Sequence, residues 1–196
     1  MQDRTPIHLA FISGLSDKKL AQFLKPLQSL PEVGAISLYR KRPFSGDKVH
    51  WIALPWWGRL NRNILEIIRL VRLLVRGGES DVMVGCFQRF HGLWAWLAGK
   101  IHRKPVIQLV ITDVDWNRER PLYNRPMMAA SACGVMGQIS QQKLQARMNR
   151  EVRIITLPFQ LPERTAEQVL EKRYDLIAVA DFAIEKAYPW MLEVLS

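Results

Sequence analysis

The sequence predicts an α/β fold, a Rossmann-like doubly wound structure with a mostly parallel sheet. Short apolar runs alternate with helical patterns along most of the chain. These runs lack polar alternation, which is typical of strands that are covered on both faces. Strands that alternate with helices favour a parallel sheet flanked by helices. With 196 residues, of which 48% are hydrophobic and 23% charged, the chain can bury one substantial core.

Seven apolar runs are predicted as strands, in the order in which they occur: 7–13, 33–39, 49–54, 81–86, 105–112, 133–138 and 152–157. Five segments with apolar residues at helical spacing lie between them: 16–30, 58–76, 89–101, 121–131 and 141–149. Ser16 and Ser140 are the expected N-caps of the first and last of these helices.

The charge balance predicts a domain boundary near residue 157. Residues 1–150 carry 23 basic and 10 acidic side chains, whereas residues 151–196 carry 5 and 8. Pro158 and Pro162 stand at the change. We therefore expect a first domain at 1–157, a linker at 158–172 and the start of a second Rossmann-like domain at 173–196. One strand and one helix cannot bury their own apolar faces, so either they pack on the first domain or the second domain is truncated. We expect the truncated second domain.

Several classes of protein are disfavoured. Cys86 and Cys133 make no disulfide framework, which favours a reducing cytoplasm. No leader pattern and no run of 18 apolar residues occurs, so the chain is expected to be soluble or peripheral. The expected location is the cytoplasm, and the alternative is a peripheral location on the inner face of the plasma membrane. The first turn, SGLSDKK, holds only Gly14, which argues against NAD and FAD sites, and no P-loop motif occurs.

Candidate site residues follow three of the predicted strands. Gly14 follows the first, His91 the fourth, and Asp113 and Asp115 the fifth. Because ligands bind beyond the carboxyl ends of strands in open α/β sheets, we expect these residues to converge at one edge. Each also has an ordinary interpretation: a turn glycine, a packed histidine, or carboxylates that cap a loop or pair with nearby arginines.

The long helix at 58–76 is the most unusual segment. Its arginines are predicted on one broad face, with Leu65 and Leu73 between them, and the other aliphatic residues are predicted to face the core. Arginines with interspersed apolar residues and flanking tryptophans suit an anionic membrane surface. The expected membrane-contact residues are Trp56, Trp57, Arg59, Arg62, Arg69, Arg72 and Arg76. The alternative is a core helix with a solvated basic face.

The chain resembles the N-terminal, acceptor-side half of a GT-B glycosyltransferase of the family 4 type. The resemblance rests on the glycine turn after the first strand, on DVMVGCFQRFHGLWAWLAGKIHRKPVIQLVITDVDW, on VMGQISQQKLQAR and RIITLPFQLPERT, and on YDLIAVADFAIEKAYPWMLEVL. By this match His91 and Asp113 would be catalytic, and Gly14, Asp115 and Ser140 would contact the acceptor. Lys186 would meet the donor phosphate, whereas Asp181 replaces the family's arginine and the linker lacks its Asn-Gly.

The resemblance implies sugar transfer from a nucleotide-sugar co-substrate to a cell-envelope glycan or lipid-linked acceptor, with no cofactor and no required metal. Most donor contacts would belong to the C-terminal half, so this chain alone is expected to be inactive. One alternative is a GT-A transferase that holds manganese through Asp113 and Asp115. Another is a non-catalytic basic α/β module that docks on membranes or on a partner subunit. Nucleic acid is not an expected partner, since no recognition motif occurs.

Overall fold

The structure is a computed structural model that describes residues 5–55, 61–86, 90–111, 121–148 and 152–154. Within these residues seven strands form one sheet in the order β3-β2-β1-β4-β5-β6-β7, and every paired strand is parallel to its neighbour. The strands are β1 (Ile7–Ile12), β2 (Val33–Tyr39), β3 (Val49–Trp51), β4 (Val82–Cys86), β5 (Val106–Val110), β6 (Ala132–Val135) and β7 (Val152–Ile154). The predicted α/β class and the parallel sheet are confirmed.

Five helices connect the strands of the described residues. They are α1 (Asp17–Ser29), α2 (Arg62–Arg76), α3 (Phe90–His102), α4 (Pro121–Met128) and α5 (Gln138–Gln145), and a short 3₁₀ turn, Gly77–Glu79, follows α2. The reversal of strand order between β1 and β4 makes a topological switch point at the centre of the sheet. In open sheets of this kind the switch point is where ligands bind, beyond the carboxyl ends of the strands.

The core fills both faces of the sheet. One cluster contains Phe11, Leu20, Leu24, Ile36 and Leu38, which pack α1 against β1 and β2. The cluster on the other face includes Ile12, Leu73, Met83 and Ala98, and it packs α2 and α3 against the central strands. Leu144 and Val152 belong to a third cluster at the β6–β7 end. Because both faces are covered, the strands carry apolar side chains in continuous runs.

The start of α5 differs from the prediction. The helix begins at Gln138, after the N-cap residue Gly137, so Ser140 lies inside its first turn instead of capping it. Gly137 is extended, and its carbonyl oxygen accepts the N–H of Gln141 at 2.9 Å. Because glycine has no side chain, the helix starts without a side-chain cap. The expectation that Ser140 is the N-cap is therefore wrong.

The predicted linker at 158–172 and the predicted second domain at 173–196 lie outside the described residues. The described residues all belong to one compact unit, Met1–Phe159. The domain boundary stays a prediction. Within the part of the chain that the structure describes, no helix is both long and apolar enough to cross a bilayer.

Candidate functional site

The turn after β1 lies at the carboxyl edge of the sheet. Ser13 is fully buried, its N–H donates to the Tyr39 carbonyl oxygen of β2, and its Oγ accepts the N–H of Leu15 at 3.1 Å. A hydrogen bond also joins Ser13 to the thiol of Cys86, the last residue of β4. The turn is thus fixed to the ends of both strands that flank β1.

His91 packs directly on this turn. A Cβ atom placed on Gly14 would lie 2.6 Å from His91 Cε1 and 3.0 Å from Nε2. Real Cβ atoms essentially never approach another heavy atom that closely, so only glycine accommodates the imidazole in this position. His91 is half-buried in the first turn of α3. The structure therefore brings together Gly14 and His91, which the sequence places 77 positions apart.

Close packing of α3 on the sheet positions the histidine. A Cβ atom on Gly85 would lie 2.8 Å from the Cα of Gly92, so a pair of glycines allows the helix to approach β4. Gln108 on β5 is buried, and its Nε2 donates to the carbonyl oxygen of Gly92 at 2.8 Å. This bond fixes the backbone of the residue next to His91. The sequence contained the signal, since Gln108 is a lone polar residue in the apolar run PVIQLVIT.

Cys86 lies at the same carboxyl edge of the sheet, but its thiol is not suited to act as a nucleophile. Its side chain is fully buried, and burial raises the pKa of the thiol to about 12 although the hydrogen bond with Ser13 opposes the rise. The thiolate is the reactive form of cysteine, so the thiol is inert at neutral pH. Cys133 is likewise a buried free cysteine.

Arg40 is a buried cation at the end of β2 that sequence reasoning missed. Its Nη2 donates to the Leu15 carbonyl oxygen at 3.2 Å and to Asp17 Oδ1 at 2.6 Å. The Arg40 side chain is 4% exposed, whereas that of Asp17 is 60% exposed. Arg40 thus ties β2 to the turn that carries Gly14. The available signal was its position directly after a buried strand.

A second buried cation, Arg69, corrects the prediction for α2. Its Nη1 donates to both carboxylate oxygens of Glu66 at 2.8 Å, and Trp94 Nε1 of α3 donates to Glu66 Oε2 at 3.3 Å. The residue is only 2% exposed. Burial lowers the pKa of Arg69, Glu66 opposes the change, and nearby Arg40 adds to it. Arg69 therefore does not lie on an exposed face, and its expected membrane contact is wrong.

For most of the aliphatic residues of α2, the predicted burial is reversed in the structure. Leu65 and Leu73, expected between the arginines of the outer face, are buried. The aliphatic residues that were expected to face the core are mainly on the outside: Ile64, Ile67, Val71 and Val75. The physical reason is the Glu66–Arg69 pair, in which Glu66 neutralises an arginine that the structure describes on the inner face. Arg72 and Arg76 are exposed as expected.

Asp113, Asp115, Lys186, Trp56, Trp57 and Arg59 lie outside the described residues, and of Arg62 only the helical backbone is described. Ser140 is described, half-buried in α5, whose first turn follows β6 at the carboxyl edge. The strand before Asp113, β5, pairs with β4 through Cys86 and Leu109, so it ends at the same edge as β4.

A groove of ≈ 370 Å³ lies at the opposite, amino edge of the sheet. Trp96, Lys100, Arg103 and Lys104 line it, and Lys100 Nζ lies 5.4 Å from the centre of the Trp96 ring. These cations surround the C-terminal end of α3, where they complement the negative end of the helix. The groove is therefore separate from the site at Gly14 and His91. In the described segments no three potential metal-ligating side chains are grouped.

Comparison with known proteins places the fold. No protein-family model and no curated protein matches the sequence. A solved UDP-N-acetylglucosamine 2-epimerase is similar over 75% of this chain and 46% of its own, with 13% identity and a TM-score of 0.56. A Listeria monocytogenes protein assigned as the same enzyme is similar over 74% of this chain and 43% of its own, with 13% identity and a TM-score of 0.54.

An Anabaena protein, HepE, was solved in complex with UDP-glucose and is similar over 78% of this chain and 44% of its own. The identity is 15% and the TM-score 0.54. This chain thus spans less than half the length of each of these three proteins. At these identities the likeness shows the fold alone. The chain has the Rossmann-type architecture of GT-B-like proteins, and the family 4 assignment is not established.

Proposed function

We propose that this chain forms the acceptor-side half of a GT-B-type glycosyltransferase. The enzyme would move a sugar from a nucleotide-sugar donor to a cell-envelope glycan or a lipid-linked acceptor. The observation that carries the proposal is the contact of His91 with Gly14 at the switch point of the sheet. The similarity of fold to sugar-nucleotide proteins supports the same class.

Glycosyl transfer gives His91 a chemical role. The acceptor hydroxyl oxygen forms a bond to the anomeric carbon, and the nucleoside diphosphate leaves with the electrons of the broken bond. The hydroxyl must lose its proton, and an imidazole nitrogen is a suitable acceptor for it. Gly14, which has no side chain, leaves the backbone beside His91 open to the acceptor.

The remaining proposed roles rest on the family resemblance. Asp113 would assist His91 from the end of β5, and Asp115 and Ser140 would bind acceptor hydroxyl groups. Lys186 would contact the donor phosphate, with most other donor contacts made outside this chain. The alternative use of Asp113 and Asp115 as manganese ligands stays open, because both lie outside the described residues.

A second candidate is suggested by the fold comparison. Two of the three reported structures carry the name UDP-N-acetylglucosamine 2-epimerase, an activity on the nucleotide sugar itself. Such an enzyme needs no acceptor. The two candidates therefore differ in one observable requirement, which is the dependence of turnover on an acceptor.

The test uses the protein that contains this chain, supplied with UDP- and GDP-sugars in the presence and absence of envelope lipids and glycans. We expect nucleoside diphosphate release only with an acceptor. His91→Ala should lower turnover by at least about 100-fold, the lower end of a general base's contribution. His50→Ala, on the exposed face of β3, is the matched control and should retain activity.

Two results would overturn the proposal. Conversion of UDP-N-acetylglucosamine to its C2 epimer without any acceptor would establish the second candidate instead. Full activity of the His91→Ala variant with an intact fold would remove His91 from the chemistry.

A further inference from the structure

The outward face of α2 is an aliphatic stripe. Ile64, Ile67, Val71 and Val75 recur at intervals of three or four residues, which aligns them along one side of the helix. They are 43%, 59%, 52% and 75% exposed, respectively. On the opposite side of the helix Leu65, Arg69 and Leu73 are buried. The stripe is thus an apolar surface that the described part of the chain leaves uncovered.

The exposed charged side chains that the structure describes on α2 itself are of one sign. Arg72 and Arg76 are exposed on α2. Its one acidic residue, Glu66, is 8% exposed and bound to Arg69, so the helix presents no free carboxylate. Residues 1–150 carry 23 basic against 10 acidic side chains. An exposed apolar stripe marks an interaction surface, and these charges favour a partner that is both apolar and anionic.

We propose that the outward face of α2 binds the surface of an anionic lipid bilayer, with the helix axis parallel to the membrane. The four aliphatic side chains would enter the boundary between headgroups and acyl chains, and Arg72 and Arg76 would contact lipid phosphates. Aliphatic residues with arginines and no free carboxylate fit this environment, since the bilayer offers apolar chains beneath anionic headgroups. Trp56 and Trp57 precede this helix in the sequence, and tryptophan is enriched at membrane interfaces.

The proposed binding mode differs from the one that the sequence predicts. In the mode that the sequence predicts, arginines hold the protein to the membrane surface and the aliphatic residues belong to the core. In the mode proposed from the structure, the aliphatic residues insert into the membrane, so replacing them should weaken binding even where every arginine remains. The proposal is independent of the proposed catalytic function, because the measurement uses neither sugar donor nor acceptor.

The experiment measures co-sedimentation of the whole chain with vesicles of phosphatidylcholine, with and without phosphatidylglycerol. We expect binding to the anionic vesicles and at least tenfold weaker binding to the neutral ones. Ile67→Ser with Val71→Ser should weaken binding to anionic vesicles by at least tenfold. Arg72→Gln with Arg76→Gln should weaken it by roughly 30-fold at physiological salt, since each basic residue contributes about a factor of five.

The matched control replaces an aliphatic residue that is at least as exposed elsewhere on the surface. Ile139→Ser, at a residue of α5 that is 71% exposed, should bind vesicles like the unchanged protein. A second measurement does not depend on polar substitutions: Val71→Cys is labelled with an environment-sensitive fluorophore. Its emission should shift to the blue with anionic vesicles, and a label at Ile139→Cys should not respond. Cys86 and Cys133 are buried and should not take up the label.

Equal vesicle binding by the Ile67→Ser, Val71→Ser variant, together with an unresponsive label at residue 71, would overturn the proposal. The proposal would also be overturned if the unchanged protein did not bind vesicles but formed a concentration-dependent dimer that the Ile67→Ser and Val71→Ser substitutions abolish. The stripe would then bind a second copy of the chain. Loss of vesicle binding by the Ile67→Ser, Val71→Ser variant with an unchanged fold would support the membrane surface, and it would leave the catalytic proposal standing.

Discussion

The contact between Gly14 and His91 leads to a prediction about the smallest possible substitution. Gly14→Ala places a methyl group 2.6 Å from His91 Cε1, so the ring must move. Overpacking of this kind costs about 1–3 kcal/mol of folding free energy. We expect a changed NMR resonance for the His91 ring and reduced sugar transfer by the protein that contains this chain.

Gly137→Ala provides the control for that substitution. A Cβ atom at residue 137 would meet nothing within 4 Å. The substitution should therefore lower the free energy of unfolding only through the weaker N-cap preference of alanine, by less than about 1 kcal/mol. The His91 resonance should be unchanged. If Gly14→Ala leaves the resonance as unchanged as Gly137→Ala does, the packing of the imidazole on the turn is not as described.

The ionisation of the Cys86 thiol makes the free energy of unfolding depend on pH in the alkaline range. Burial raises the pKa of the folded thiol to about 12, compared with 9.0 for an ordinary cysteine. Between these values the unfolded chain loses the proton first, so the free energy of unfolding falls as the pH rises, by at most about 1.4 kcal/mol per pH unit. Below pH 9 this contribution is complete.

Denaturant unfolding of the unchanged protein and of Cys86→Ala, measured from pH 8 to pH 11, tests this dependence. The difference between their unfolding free energies should be constant below about pH 9 and should fall above it. A difference that stays level across the whole range would show that the thiol ionises freely in the folded protein.

Helix α2 shows what sequence periodicity can and cannot determine. The helix itself, its end at Gly77 and the separation of its two faces were predictable, because apolar spacing determines them. Which face is buried was not predictable from hydrophobicity, because Arg69 enters the interior paired with Glu66. The spacing of Glu66 and Arg69, three residues apart on the face that also holds Leu65 and Leu73, was the overlooked signal.

The buried pair gives a prediction for the stability of this helix. Glu66→Gln removes the carboxylate that neutralises Arg69, and an unpaired buried charge costs about 3–5 kcal/mol. The double variant Glu66→Leu, Arg69→Met removes both charges and should recover most of that loss. Arg72→Gln, at an exposed residue, should change the unfolding free energy by less than about 0.5 kcal/mol.

Urea denaturation of these three variants measures the effect. A double variant that is as unstable as Glu66→Gln would indicate that the pair itself, and not the lone charge, supports the helix. Equal stability of Glu66→Gln and Arg72→Gln would place Arg69 in solvent, as periodicity alone suggested.

For the whole molecule, the order of the elements carried most of the predictable information. Seven strands and five helices were expected within residues 5–157, and the described residues contain seven strands in one parallel sheet together with five helices. The convergence of Gly14 and His91 followed from this topology, since parallel strands end at the same edge. The roles of Arg40 and Gln108 were not predictable in the same way, because they depend on which side chains reach across neighbouring elements.

The proposed division of labour makes a prediction about ligand binding. If most donor contacts are made outside this chain, then residues 1–196 alone should bind UDP- and GDP-sugars only weakly. We expect dissociation constants above about 1 mM, equivalent to less than about 4.1 kcal/mol of binding free energy. Isothermal titration calorimetry of the purified chain with each nucleotide sugar measures this directly.

The same titration separates the metal-independent proposal from the manganese alternative. Added manganese should leave the weak binding unchanged, and Asp113→Asn with Asp115→Asn should have no effect on it. Micromolar binding that requires manganese and disappears in this double variant would contradict the proposal, because carboxylate oxygens would then hold the metal and the donor diphosphate within this chain. Micromolar binding without manganese would instead place the donor site itself on this half of the fold.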